Sequence, residues 1–139
     1  MPRVTTAFVA EDVRDEGRGR YIAVGLYAGD VEFASIEDAK LDRFVVFTVI
    51  SDLDVGPHTL SIQARSGSAG VLQIGGGSFV IDEENTSFIS IARIRGLYFP
   101  KPGDYVIEIS IDDKKISDIE FGIVILGEHP APSPEAETS

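Results

Sequence analysis

Cysteine and tryptophan are both absent from this chain of 139 residues. Because there is no cysteine, the chain can form neither a disulfide framework nor a thiolate metal site. The apolar run at residues 122–127, like every other apolar run in the chain, is far too short to span a bilayer. The first residues also lack a basic segment followed by an apolar block, which is the pattern of a signal peptide. These absences predict a cytoplasmic protein with no membrane partner.

Basic residues are scarce as well. The chain has 12 Lys and Arg against 23 Asp and Glu, which gives a formal net charge of −11. A surface with this balance repels phosphate backbones, so we expect no direct binding to nucleic acid. The charge either keeps a sheet protein soluble and protects its edges, or it mimics DNA and occupies a basic partner. We favour the first interpretation.

The residues that are plentiful predict β-structure. Valine, isoleucine, threonine and aromatic residues recur in short alternating runs, and 14 Gly and 7 Pro separate these runs. The pattern predicts an all-β, immunoglobulin-like antiparallel sandwich of eight or nine strands in residues 1–126, followed by a flexible acidic, proline-rich tail at 127–139. Two runs, 21–27 and 44–50, are apolar on both faces and are predicted to be central strands. The other predicted strands are residues 3–10, 31–34, 58–65, 71–74 resuming at 78–81, 87–95, 105–112 and 115–126.

The most informative stretch begins at the turn Pro102-Gly103-Asp104 and continues into Tyr105. From Tyr105 to Asp112 every second residue is apolar, which is typical of a strand with one buried face. A tyrosine directly after such a turn predicts a tyrosine corner, with the ring in the core and the hydroxyl bonded to a nearby backbone group.

Residues 5–126 resemble a family of small uncharacterised bacterial and phage proteins. The resemblance rests first on the charged stretch at residues 10–16 and on the run Val24-Gly25-Leu26-Tyr27. Further matching segments are residues 44–50, 58–60 and 96–105. The resemblance implies a compact immunoglobulin-like fold and implies no activity, so no catalytic residue is carried over from it.

Two segments are candidate partner-binding sites. Residues 11–20 are predicted to be a solvated loop between two strands, and the candidates in it are Arg14, Asp15, Arg18 and Arg20. This loop either neutralises its own charge or uses its arginines as interface anchors. The second segment breaks the alternation of its strand, and its candidates are Leu97, Tyr98 and Phe99. These three side chains either plug the open end of the sandwich or form an exposed patch.

Other motifs favour a structural interpretation. His58 could serve a remote serine, but it lies in no nucleophile motif and is expected to flank a turn with its ring at the surface. The triple glycine at 75–77 lacks the lysine and the following helix of a phosphate loop, so it predicts a bulge or a close backbone approach. Asp52 and Asp54 could contribute to a calcium site with other loop carboxylates, from residues 12, 15 and 82–84. We predict no catalytic residue, no cofactor and no metal.

These observations favour a non-enzymatic protein-binding module, adaptor-like or inhibitor-like, that acts through sandwich loops or a sheet edge. A protein partner is expected, and the resemblance suggests a phage or anti-phage setting. One alternative is a structural, self-assembling subunit, which would make the chain a homo-oligomer. The other is a small-ligand or carbohydrate-binding domain, which the absence of tryptophan disfavours.

Overall fold

Short runs of β-branched and aromatic residues, separated by Gly, Pro and Asp turns, form nine strands in the part of the chain that the structure describes. The computed structural model describes residues 1–27, 29–35, 37, 39–66, 70–99 and 101–126. Within these ranges no helix has the length and hydropathy to cross a bilayer. The predicted tail at 127–139 lies outside the described residues. The strands are β1 (Arg3–Gly17), β2 (Arg20–Leu26), β3 (Asp30–Phe33), β4 (Lys40–Ser51), β5 (Gly56–Ser66), β6 (Gly70–Ile81), β7 (Phe88–Tyr98), β8 (Gly103–Ile111) and β9 (Lys114–Ile125).

The strands form two sheets that pack face to face. One sheet has the order β2-β1-β4-β7 and the other has the order β3-β9-β8-β5-β6. The prediction of an all-β sandwich with eight or nine strands is therefore confirmed. The expectation of purely antiparallel pairing is wrong at one place, because β3 runs parallel to β9 from Asp30↔Gly122 to Phe33↔Ile125. This pairing arises because the chain crosses from the first sheet to the second before β3, whereas an antiparallel neighbour would follow a hairpin.

The core lies between the sheets, and β8 contributes to it as its alternation predicts. Tyr105, Ile107, Ile109 and Ile111 are all buried, while the residues between them are partly exposed. Across the core, β4 contributes Phe44 and other buried apolar residues. β4 pairs with β1 on one side and β7 on the other, so its predicted central position is confirmed.

The tyrosine corner is confirmed. The Tyr105 hydroxyl donates to the Lys101 carbonyl oxygen at 2.7 Å. The ring packs edge-on against Phe99, at 5.1 Å between centroids, and is stacked with Phe121 at 5.9 Å. Burial raises the pKa of the Tyr105 hydroxyl. The turn before β8 is thus joined to the core by one side chain.

The prediction that residues 21–27 form a central strand is wrong. β2 lies at the edge of its sheet and pairs with β1 alone among the described residues. Only part of this apolar segment packs on the protein, and the remaining apolar side chains are exposed. Tyr21 contacts Phe47 at 5.2 Å between ring centroids, whereas Ile22 is 47% exposed and Leu26 is 58% exposed.

The triple glycine lies inside a single strand, so the predicted interruption of β6 is wrong. The predicted close approach of two backbones is confirmed. Gly76 has a φ of 142°, and a Cβ atom there would collide with the Leu60 carbonyl oxygen on β5. The register between β5 and β6 shifts nearby, between Ile62 and Gln63. Glycine therefore lets two backbones pack together at this bulge.

Candidate functional site

The charged segment at residues 11–20 is a β-hairpin, so the predicted loop is wrong. β1 continues through the segment to Gly17 and pairs with β2. Arg18 and Gly19 form the turn with φ values of 58° and 73°, which is the conformation of a tight two-residue hairpin turn. We call residues 11–26 the β1–β2 arm. Its high charge does not prevent strand pairing, because most of the charged side chains of this ribbon remain exposed to water.

The β1–β2 arm bends and lies against the outer face of its own sheet. Gly25, with a φ of 66°, faces Glu11 at the bend. Beyond it Val13 is completely buried, and its carbonyl oxygen accepts a 2.7 Å hydrogen bond from the Arg93 guanidinium of β7. This contact covers a second apolar cluster, separate from the core between the sheets. We call it the outer cluster: Phe8, Ala10, Val13, Tyr21, Val45, Phe47, Val49 and Ile91.

The far end of the arm presents the four charged candidates of this segment, and all four are exposed. Arg14 lies 3.6 Å from the Asp12 carboxylate, and Asp15 accepts a hydrogen bond from the Gly17 amide at 2.7 Å. Arg18 and Arg20 make no ion pair with a described residue. Exposed pairs contribute little stability. The arm tip therefore presents three exposed arginines, together with Asp15 and Glu16, to a partner.

The edge of β2 is the part of the arm that the sequence did not reveal. Ile22, Val24 and Leu26 occupy alternate positions on it, and Ile22 and Leu26 are among the few large apolar side chains that are exposed. Because Tyr21 faces the outer cluster, its neighbour Ile22 faces away from it. An unpaired edge with exposed apolar residues is a surface on which another chain can pair.

The segment at 97–99 is mostly core. Leu97 is 5% exposed and Phe99 is 1% exposed, so neither can contact a partner, and the prediction of an exposed patch is wrong for both. Gly96, with a φ of 65°, shifts the alternation of β7 and turns Leu97 inward. Tyr98 alone is exposed, at 46%, and it lies in β7 opposite Lys40.

His58 connects two turns. Its ring was expected at the surface, but it is largely buried. Its side chain is 9% exposed and stacks on Phe79 at 5.5 Å between centroids. Nδ1 lies 2.7 Å from Asp112 and Nε2 lies 2.7 Å from the Asp54 carbonyl oxygen. Since both partners are acceptors, the ring satisfies both only when both nitrogens carry protons. Neither nitrogen is left to activate a serine.

These contacts shift two pKa values in opposite directions. The Asp54 carbonyl, followed by Asp112, raises the pKa of His58 above its ordinary value of 6.5. The hydrogen bond from His58, followed by the one from the Thr59 amide, lowers the pKa of Asp112 below its ordinary value of 3.8. Stabilisation by His58 is fully present below pH 6.5 and is lost as the pH rises through the raised value. Stabilisation by Asp112 is present above pH 3.8 and is lost as the pH falls through the lowered value.

We therefore expect the His58–Asp112 pair to stabilise the fold most between about pH 4 and 6.5. The test is urea unfolding of the wild type and of Asp112→Asn across this range and up to pH 9. Asparagine retains the acceptor for Thr59 and tolerates the φ of 50° at this position. The stability difference between the two proteins should shrink as the pH rises through the His58 pKa. A difference that stays constant from pH 5 to 9 would contradict the assigned pairing.

The carboxylates proposed for calcium do not converge. Asp52 pairs with Arg3 at 2.8 Å, which lowers the pKa of its carboxyl group. Within the described ranges, no group of three or more His, Asp or Glu side chains is arranged to hold a metal ion.

The architecture is that of a β-sandwich domain with an exposed hairpin arm. The chain belongs to DUF6941, a family of unknown function, and the family model matches residues 5–124. This confirms the expected membership of an uncharacterised family. No curated protein matches the chain.

Several solved structures contain a part with a similar fold. The match to a mutant β-glucosidase from Listeria innocua in complex with laminaribiose has 5% identity and a TM-score of 0.53, and it covers 91% of this chain and 16% of that chain. The glucose complex of β-glucosidase from the same organism gives the same coverage with a TM-score of 0.52. An alkylpurine DNA glycosylase from Pseudomonas fluorescens, bound to DNA containing an abasic site analog, has 10% identity and a TM-score of 0.49, covering 88% of this chain and 30% of that one. This chain therefore spans only 16–30% of these proteins, and the glucosidase likeness shows the fold alone.

Proposed function

We propose that this protein is a non-enzymatic binding module that recognises a partner protein through the β1–β2 arm. The observation that carries the proposal is the edge of β2, which has no strand partner on its outer side among the described residues and which exposes Ile22 and Leu26. A partner strand can add to such an edge through backbone hydrogen bonds, and the alternating side chains then supply specificity.

The arm tip supports this proposal through its charge. Arg18 and Arg20 continue from the apolar edge into the turn and have no counter-ion among the described residues. Arginines next to an apolar stripe are typical of the residues that contribute most to binding energy at protein interfaces. A cytoplasmic location and a phage or anti-phage setting remain expectations from the sequence, as does the immunoglobulin-like assignment.

The proposal predicts that Ile22→Asp and Leu26→Asp each weaken binding of the partner at least tenfold, which is about 1.4 kcal/mol. Both side chains are exposed in the free protein, so the fold should be unaffected. The measurement is the affinity for the protein that copurifies with the wild-type chain in stoichiometric amount. Val55→Asp is the matched control, because Val55 is 53% exposed in the turn between β4 and β5.

Unchanged binding in both arm variants would overturn the assignment of this surface. Light scattering identifies the alternative in which the partner is a second copy. If the wild type is a dimer at micromolar concentration and Ile22→Asp is a monomer, the protein is a self-assembling subunit and not a module for a different partner protein.

A further inference from the structure

A second surface arises where β1 leaves β4. The register between these strands ends at Ala10↔Val45, although β4 begins five residues earlier, at Lys40. The strands diverge beyond this point and leave a cleft of about 220 Å³. We call it the arginine cleft, and its lining residues are Glu11, Asp12, Arg43, Phe44, Val45, Arg93, Ile94 and Arg95.

Three arginines lie on one face of this cleft. Arg43 of β4 and Arg95 of β7 are direct cross-strand partners, and Arg93 lies opposite Val45. Like charges in directly opposite positions destabilise a sheet. Arg93 is engaged with the Val13 carbonyl, but neither Arg43 nor Arg95 has an ion pair or a hydrogen bond with any described residue. Arg43 and Arg95 therefore present two guanidinium groups that no described residue contacts directly, in a cleft whose lining also includes Glu11 and Asp12.

The chemistry of the cleft selects its ligand. Guanidinium groups bind carboxylates in a forked, two-bond geometry. Glu11 and Asp12 in the lining repel any anion, but they oppose a phosphate monoester, with a charge of about −1.5 to −2, more strongly than a carboxylate with a charge of −1, so a carboxylate is the better fit. The cleft is also smaller than the about 300–1,000 Å³ of pockets that enclose whole small ligands, so it fits a side chain.

We propose that the arginine cleft binds carboxylate side chains from an acidic segment of a partner protein, with Arg43 and Arg95 as the anion-binding pair. Arg93 acts as a positioning residue, because it bonds the arm from across β4 and so maintains one wall of the cleft. The inference rests on the proposed function in that the partner is a protein, but it concerns a surface distinct from the β2 edge.

The experiment is an NMR titration of the full chain with the capped peptide acetyl-Ala-Glu-Ala-Glu-Ala-amide at low salt. We expect saturable shifts around Arg43, Val45 and Arg95, and a loss of affinity of at least tenfold in Arg43→Gln and in Arg95→Gln. Arg3→Gln is the matched control, because it removes the same charge from the opposite end of β1, where Arg3 pairs with the exposed Asp52, and it should bind as the wild type does. Arg95→Gln should melt no lower than the wild type, since it relieves a like-charge contact.

Three results would overturn this inference: no saturable binding, equal binding of the corresponding glutamine peptide, or an equal loss in Arg3→Gln. Tighter binding of inorganic phosphate or of an oligothymidylate at the same residues would also overturn it, because the site would then recognise phosphate. If the peptide fails to bind while Ile22→Asp still abolishes binding of the partner, the inference fails and the proposed function stands.

Discussion

Replacing Tyr105 by alanine is expected to lower the free energy of unfolding by about 3–5 kcal/mol, because it opens a cavity between Phe99 and Phe121. Tyr105→Phe preserves the buried ring and removes only the bond to Lys101. Lys101 is exposed, so water can replace the lost donor, and we expect a cost of about 0.5–1.5 kcal/mol. Urea unfolding of both variants measures these values.

Tyr98→Phe is the matched control for this comparison. Tyr98 is 46% exposed, and its hydroxyl bonds no described residue, so the change should stay within about 0.5 kcal/mol. A greater cost for Tyr98→Phe than for Tyr105→Phe would show that the corner before β8 is not the structural constraint described above.

Gly76→Ala is expected to destabilise the protein by roughly 3 kcal/mol. A backbone with a φ of 142° is strained for alanine, which costs about 1–3 kcal/mol. The new Cβ would also collide with the Leu60 carbonyl oxygen, which belongs to the backbone and cannot rotate away. Such overpacking costs a further 1–3 kcal/mol or so.

The neighbouring glycine provides the control for Gly76. A Cβ at Gly77 meets nothing within 4 Å, and its φ lies outside the left-handed region. Gly77→Ala should therefore be neutral or slightly stabilising, because it reduces the freedom of the unfolded chain. Thermal unfolding of the two variants side by side is sufficient, and similar melting temperatures would contradict the bulge geometry.

Where the signal is local, the sequence predicts the structure well. The alternation in β8 and the turn before Tyr105 specify both a buried face and a hydroxyl partner within four residues. The charged segment at 11–20 is predicted to be a loop because its composition is typical of a solvated loop, whereas its glycines indicate a turn between paired strands. Gly17 and Gly19 on either side of Arg18 were the available signal for a tight hairpin.

The candidate sites depend on contacts between residues that are far apart in sequence, and a local sequence pattern does not specify such contacts. Whether β2 is central or at an edge depends on strand order, and an apolar run looks the same in both positions. Likewise, Arg43 and Arg95 are 52 positions apart in sequence and meet only through the register of β4 and β7. Leu97 and Phe99 are predicted as part of a candidate patch because the positive φ of Gly96, which changes the alternation of β7, cannot be read from composition.

Hydrogen–deuterium exchange of the free protein and of its complex with the captured partner shows whether the partner docks on the edge of β2. Half of the amides of an edge strand point away from its only neighbour, so a docked partner should protect them. We expect new protection in β2, at Arg20–Leu26, and unchanged exchange in β6, which is an edge of the other sheet. New protection confined to β6, with β2 exchanging as in the free protein, would contradict this expectation.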